Sequence, residues 1–131
     1  MKQPTAVIVE DELLFAQALT AFVEDLGYQV LATADTEQGA IGVVREHQPD
    51  VVLMDVQLLN GNGVGAAIMI RESSNVPIVF CSSYANGVVR SAVQAVRNAE
   101  LIGKPFDETE LAALLANAVK KASSATLSSS S

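Results

Sequence analysis

Short apolar runs alternate with longer amphipathic stretches along most of this chain. Five of the runs predict β-strands, at residues 5–9, 28–33, 51–54, 77–81 and 100–103. The run at 51–54 has no polar alternation, which is typical of a strand buried on both faces in a parallel sheet. Strands that alternate with helices favour a parallel sheet covered on both sides, and right-handed crossovers make it doubly wound. The pattern therefore predicts an α/β fold.

The stretches between the runs predict five helices. The second helix is capped by Thr36 and ends before Pro49, the third covers residues 63–72 and is apolar almost all round, and the fourth covers 86–98. The buried stripe of the first is predicted as Phe15, Ala18, Leu19, Phe22 and Leu26. Asp107 caps the fifth helix, whose stripe is Leu111, Leu114, Leu115 and Ala118.

The 131 residues fit a single domain of ordinary size. Residues 4–121 hold all the predicted helices and strands. Residues 122–131 are rich in serine and too simple in sequence to build a core, so we expect a flexible tail or linker remnant there.

Composition and charge exclude several classes of function. Eight basic against fifteen acidic residues give a net charge of −7, which argues against nucleic-acid binding by this domain. No stretch approaches the ~20 apolar residues of a membrane span, and the first residues do not resemble a signal peptide, so we expect a cytoplasmic protein. A single cysteine, Cys81, and a single histidine, His47, exclude an internal disulfide and the usual zinc sites.

Functional side chains follow four of the five predicted strands. Glu10 and Asp11 follow the first, Asp55 the third, Ser82 the fourth and Lys104 the fifth. In a parallel sheet these ends share one edge, where open α/β sheets bind their ligands. Each charge alone is an ordinary strand-end or helix-start residue, but together they predict one site.

Clustered carboxylates repel one another unless a cation lies among them. Because the predicted ligands are all oxygen atoms, we expect a hard cation, Mg²⁺ or Mn²⁺. A carboxylate beside such an ion, with a lysine and a hydroxyl nearby, suits phosphoryl transfer onto Asp55.

This arrangement resembles the receiver domain of two-component response regulators over residues 4–121. The matching residues are Glu10-Asp11, Asp55, Ser82 and Lys104-Pro105, each after its strand. The resemblance implies a flavodoxin-like (βα)5 fold with a five-stranded parallel sheet in the order 2-1-3-4-5. It also implies a protein without enzymatic turnover beyond its own phosphorylation and dephosphorylation.

By the same resemblance, Asp55 is the phosphoacceptor and takes its phosphoryl group from a sensor histidine kinase or a histidine phosphotransfer protein. Mg²⁺ is expected to bind Asp55, Asp11, Glu10 through water, and the backbone carbonyl of Gln57. Ser82 and Lys104 are expected to contact the phosphoryl oxygens. Pro105 is expected to follow a cis peptide bond.

Two positions depart from the family pattern. Leu59 stands where a proline is usual, and Leu101 stands where a tyrosine or phenylalanine commonly changes position on activation. An aromatic switch of that kind is therefore not expected.

Tyr84, two residues after Ser82, is a candidate for shielding an acyl phosphate from water, or a residue that only packs on the rim. Ile68 and Met69 are candidates for a partner or self-association surface.

Three other interpretations stay open beside phosphorelay signalling. A phosphatase-like enzyme with an aspartyl-phosphate intermediate usually needs a second acid where Gln57 stands. A flavodoxin-type cofactor carrier needs a phosphate-binding loop after the first strand, where three acids would repel phosphate. The third is a receiver-like docking module that is not phosphorylated. A phosphoacceptor would act either as a stand-alone regulator or as the receiver part of a longer chain.

Overall fold

The computed structural model of the protein describes residues 3–83 and 86–130, with side chains up to residue 121. Strands and helices alternate along this part of the chain. Their bounds are β1 Thr5–Val9, α1 Leu13–Asp25, β2 Gln29–Ala34, α2 Glu37–His47, β3 Val51–Asp55, α3 Gly63–Arg71, β4 Ile78–Ser82, α4 Gly87–Gln94, β5 Ala99–Gly103 and α5 Glu108–Ser130.

The five strands form one parallel sheet in the order β2-β1-β3-β4-β5. This confirms the predicted flavodoxin-like α/β fold and its strand order. Every residue of β3 and β4 is buried, as the unbroken apolar run at the centre of the sequence predicts.

Each face of the sheet has its own hydrophobic core. Val52 and Met54 of β3 point to the core under α2, α3 and α4, while Val51 and Leu53 point to the core under α1 and α5. The alternation within β3 follows from the two-residue period of a strand. Helices on both faces therefore hold the central strands in place and fix where their carboxyl ends lie.

The buried stripe of helix α1 matches the predicted one only in part. Leu19 and Val23 are buried, with Phe15 and Phe22 partly buried against the same core. Ala18 and Leu26 are exposed, so the prediction for these two residues is wrong. The helix carries apolar residues on more than one side, and periodicity alone does not say which side meets the sheet.

Two helix ends also differ from expectation. α4 ends at Gln94 rather than near residue 98, because the chain turns through Asn98, whose φ is 55°, to begin β5 at Ala99. α5 continues to Ser130, whereas a flexible tail is predicted from residue 122; the flexibility of that segment stays a prediction. No helix in the described ranges has the length and apolar character needed to span a bilayer.

Candidate functional site

The predicted site residues meet at the carboxyl edge of the sheet. Glu10 directly follows β1, Asp55 ends β3, Ser82 ends β4 and Lys104 directly follows β5. The Lys104 Nζ donates a hydrogen bond of 2.8 Å to Glu10 Oε2 and another of 2.8 Å to Asp55 Oδ2. Topology thus joins residues 94 positions apart in the sequence.

Three carboxylates form the acidic part of this site. One oxygen from each of Glu10, Asp11 and Asp55 lies within 4.8 Å of the other two. Glu10 is 5% exposed and Asp55 8% exposed, whereas Asp11 is open to solvent. Oxygen donors this close, with one side open, are a suitable set for a hard divalent cation.

Electrostatics at the site show the cost of burying Glu10 beside a second acid. Burial, with a smaller contribution from neighbouring Asp55, raises the pKa of Glu10, whereas the hydrogen bonds from Lys104 and the Glu12 backbone N–H lower it, and the net result is a pKa of about 7. A cation among the carboxylates would replace that proton, so the donor set fits a metal ion. For Lys104, burial lowers the pKa, but its hydrogen bonds to Asp55 and Glu10 outweigh burial and leave the pKa above its usual value.

The loop after β3 fixes the direction of the Asp55 carboxylate. Its Oδ1 accepts a hydrogen bond of 2.9 Å from the backbone N–H of Gln57. An isolated bridge between Gln57 and Asn62 closes the loop, and the N–H of Gly63 donates to the carbonyl of Val56 at 2.7 Å. A methyl group at position 63 would collide with the carbonyl oxygen of Asp55, so glycine is required there.

Ser82 and Pro105 complete the edge on the β4–β5 side. Ser82 is 1% exposed, and its backbone carbonyl accepts a hydrogen bond of 2.8 Å from the Lys104 N–H. The peptide bond between Lys104 and Pro105 is cis, as predicted. Ser82 lies on β4, which pairs with β3, the strand that carries Asp55.

Two aromatic residues belong to the site although the sequence analysis assigns them no role there. The Phe15 ring lies over the Lys104 ammonium, with 4.3 Å from Nζ to the ring centroid. Phe106 meets Phe15 in a T-shaped pair, with centroids 5.9 Å apart and planes at 67°. Their nearness in sequence to Glu10 and Lys104 is the one signal that pointed to this location.

Glu37, at the start of α2, is a third residue near the site that was not predicted to contribute to it. Its backbone N–H donates to the carbonyl of Asn60 at 3.1 Å, and its Oε1 accepts a long 3.5 Å hydrogen bond from the N–H of Asn62. Its side chain lies against Gly61 and Gly65, where any larger residue would meet it. Glu37 thus supports the loop between β3 and α3 from outside.

The remaining predicted features lie away from the carboxylates or outside the described ranges. Leu59 is 68% exposed at the rim, and Leu101 is half-buried against the α2–α3–α4 core. Ile68 and Met69 are exposed on α3. Tyr84 lies outside the described residues, so its shielding role stays a prediction.

A cavity of about 830 Å³ lies at the opposite, amino edge of the sheet. Its walls include Arg45, Asp50 and Asn98, and it contains none of the predicted site residues. Volume therefore does not mark the chemical site of this molecule; the converging charged groups at the carboxyl edge do.

Two curated regulators are similar to this chain over most of its length. The chain is 30% identical over 121 residues to the transcriptional regulatory protein YvrH of Bacillus subtilis, covering 92% of this chain and 51% of that protein. It is 32% identical over 115 residues to the phyllosphere-induced regulator PhyR of Methylorubrum extorquens, covering 86% and 42%. The chain thus spans about half the length of these curated relatives.

A solved structure adds a magnesium ion to the comparison. The receiver domain of the sensor histidine kinase PA1611 from Pseudomonas aeruginosa superimposes with a TM-score of 0.81 at 27% identity, over 91% of this chain and 99% of that domain, and it holds magnesium in its active-site cleft. The sequence profile of the response regulator receiver domain matches residues 6–116 here. With its fold, its acidic cluster and this match, the chain belongs to the response regulator receiver domain family.

Proposed function

We propose that this protein is a phosphoacceptor receiver, in which Asp55 takes a phosphoryl group in the presence of Mg²⁺ and the change alters partner binding. The observation that carries the proposal is the position of Lys104, whose Nζ lies 2.8 Å from both Asp55 and Glu10 within a three-carboxylate cluster. A charge network of purely structural purpose would not need an exposed third acid, Asp11, on its open side.

The transfer is a displacement at phosphorus. A carboxylate oxygen of Asp55 forms a bond to the phosphorus of a phosphohistidine while the bond from phosphorus to the imidazole nitrogen breaks, and the electron pair stays on that nitrogen. In the second half of the cycle, water attacks the phosphorus, the bond from phosphorus to Asp55 breaks, and inorganic phosphate leaves. Asp55 returns as a carboxylate, and in this proposal the only phosphoryl group that the protein hydrolyses is the one on Asp55.

Glu10, Asp11, Asp55 and the backbone carbonyl of Gln57 would hold the metal ion. Mg²⁺ or Mn²⁺, when bound, offsets negative charge on the transferring phosphoryl group. The magnesium in the cleft of the related PA1611 receiver supports Mg²⁺ as the ion. Lys104 would exchange its hydrogen bonds to the carboxylates for bonds to phosphoryl oxygens, and the Ser82 hydroxyl would donate to another of those oxygens.

A protein phosphodonor suits the rim of the site. Four large hydrophobic residues are each more than two-thirds exposed and lie in the segments that follow β1, β3 and β4. They are Leu13, Leu14, Leu59 and Val88. Exposed apolar side chains around a charged centre are typical of a protein-docking surface. We therefore infer that the donor is a sensor histidine kinase or a histidine phosphotransfer protein that seats its histidine over Asp55.

Intact-mass measurement after incubation with acetyl phosphate tests the proposal directly. We expect one added phosphoryl group that requires Mg²⁺ and is absent in Asp55→Ala. Asp35→Ala, which changes an exposed aspartate just after β2, is the control and should be phosphorylated like the parent. If the parent binds Mg²⁺ but gains no mass, phosphorylation is contradicted and a docking module with a receiver fold becomes the better interpretation.

A further inference from the structure

Lys104 has an aromatic contact as well as its two carboxylate partners. The Phe15 ring centroid lies 4.3 Å from Nζ, well within the range at which a ring face attracts a cation. The lysine side chain is 15% exposed, so this contact operates where water screens it poorly. The ammonium is therefore held by Glu10, Asp55 and Phe15 together.

The position of the Phe15 ring is itself fixed from two directions. Phe15 belongs to α1, and its ring packs on the core that α1 and α5 share. Phe106, two residues after Lys104, packs on the same core and meets the Phe15 ring at 5.9 Å. The segment that carries Lys104 thus also contacts the Phe15 ring and restrains its position over the ammonium.

We propose that Phe15 is a positioning residue for Lys104, an inference that rests on the proposed function. A lysine has four rotatable methylene groups, so its ammonium must be restrained to stay at a site. During phosphoryl transfer the carboxylates lose their hydrogen bonds to Lys104, whereas the attraction of the ring does not depend on which anion the lysine binds. Phe15 keeps the ammonium beside Asp55 while its anionic partner changes.

Three variants of α1 separate positioning from packing. Phe15→Leu keeps an apolar side chain and removes the ring, Phe15→Tyr keeps the ring, and Phe22→Leu removes a ring from the same helix and the same core without a contact to Lys104. We expect the initial rate of Mg²⁺-dependent phosphorylation by acetyl phosphate to fall about three- to tenfold in Phe15→Leu. Phe15→Tyr and Phe22→Leu should stay within about twofold of the parent.

An NMR measurement checks the same contact without a phosphodonor. A ring over the ammonium shifts the Lys104 ε-methylene protons upfield, and this shift should persist in Phe15→Tyr and vanish in Phe15→Leu. A parental rate in Phe15→Leu, or an equal loss of rate in Phe15→Leu and Phe22→Leu, would overturn the inference while leaving the proposed function intact. A parent that takes no phosphoryl group at all would overturn both.

Discussion

Glu10 is almost fully buried, yet it is a carboxylic acid beside a second carboxylate, Asp55. Burial favours its neutral form, and Lys104 favours its charged form. Burial prevails, which leaves the pKa at about 7. In the cation-free protein, Lys104 and a proton on Glu10 therefore reduce the negative charge among the acids. Under the proposed function, a metal ion and a phosphoryl group would have to displace both.

The raised pKa predicts how stability depends on pH in the metal-free protein. The unfolded chain releases the Glu10 proton near pH 4.5, but the folded chain releases it near pH 7. Between these values the folded state binds more protons, so the free energy of unfolding falls as the pH rises. Relative to Glu10→Gln, which cannot titrate, we expect the parent to lose up to about 3 kcal/mol over this range. Urea denaturation in EDTA measures this; parallel pH curves for the two proteins would contradict it.

Burial of Cys81 lowers the reactivity of its thiol. It is 1% exposed near the carboxyl end of β4, and burial raises the pKa of its thiol to about 12. Because the thiolate is the reactive form, we expect no alkylation by iodoacetamide in the folded protein at pH 8 and full alkylation in urea. Mass spectrometry over several hours measures both; labelling of the folded protein within minutes would show that β4 opens readily.

At the scale of elements, the loop between β3 and α3 depends on a contact from α2. Glu37 lies against Gly65, which occupies the first turn of α3. Alanine normally favours a helix over glycine by about 1 kcal/mol, but a methyl group at 65 would displace the Glu37 carboxylate. The benefit of Gly65→Ala should therefore depend on whether Glu37 is present.

A double-mutant cycle tests this dependence. In a Glu37→Ala background, we expect Gly65→Ala to stabilise the protein by up to about 1 kcal/mol, and in the parent we expect it to be neutral or destabilising. Gly42→Ala is the control, since a methyl group at this exposed position of α2 meets nothing within 4 Å and should stabilise both backgrounds equally. Chemical denaturation gives the four free energies; an equal effect of Gly65→Ala in both backgrounds would show that Glu37 does not support the loop.

The elements differ in how well their sequence predicts them, and the reason is physical. β3 and Asp55 are predicted correctly because a strand buried on both faces must be apolar throughout, and a polar residue then marks its end. The stripe of α1 is only partly predicted because apolar residues on several sides of a helix compete, and the sheet decides among them. The Phe15 ring over Lys104 depends on side-chain directions across two elements, which no local pattern encodes.

At the scale of the whole molecule, sheet topology assembles the site. Glu10, Asp55 and Lys104 are far apart in sequence, but parallel strands with right-handed crossovers leave their carboxyl ends at one edge. Predicting the topology was therefore enough to predict that these residues meet. What it left open is the response to phosphorylation, because Leu101 offers no aromatic ring or hydroxyl and lies half-buried in the α2–α3–α4 core.

The charge balance of the assembled site predicts how Mg²⁺ affects the fold. Three carboxylates face one ammonium, so a cation that binds only the folded state should stabilise it, by about 2.7 kcal/mol when its concentration is a hundred times its dissociation constant. Asp11→Asn removes the exposed carboxylate and leaves the partners of Lys104, Glu10 and Asp55, in place. We expect this variant to gain little from Mg²⁺ and to be at least as stable as the parent in EDTA.

Thermal unfolding in EDTA and in increasing MgCl₂, at constant ionic strength, measures the effect. Asp35→Asn removes one negative charge from an exposed position just after β2, so it controls for net charge and should respond to Mg²⁺ like the parent. Equal gains in the parent and in Asp11→Asn would mean that Mg²⁺ binds elsewhere. If only Asp11→Asn loses the gain, Mg²⁺ binds at the three-carboxylate cluster, where a cation offsets the repulsion among the acids.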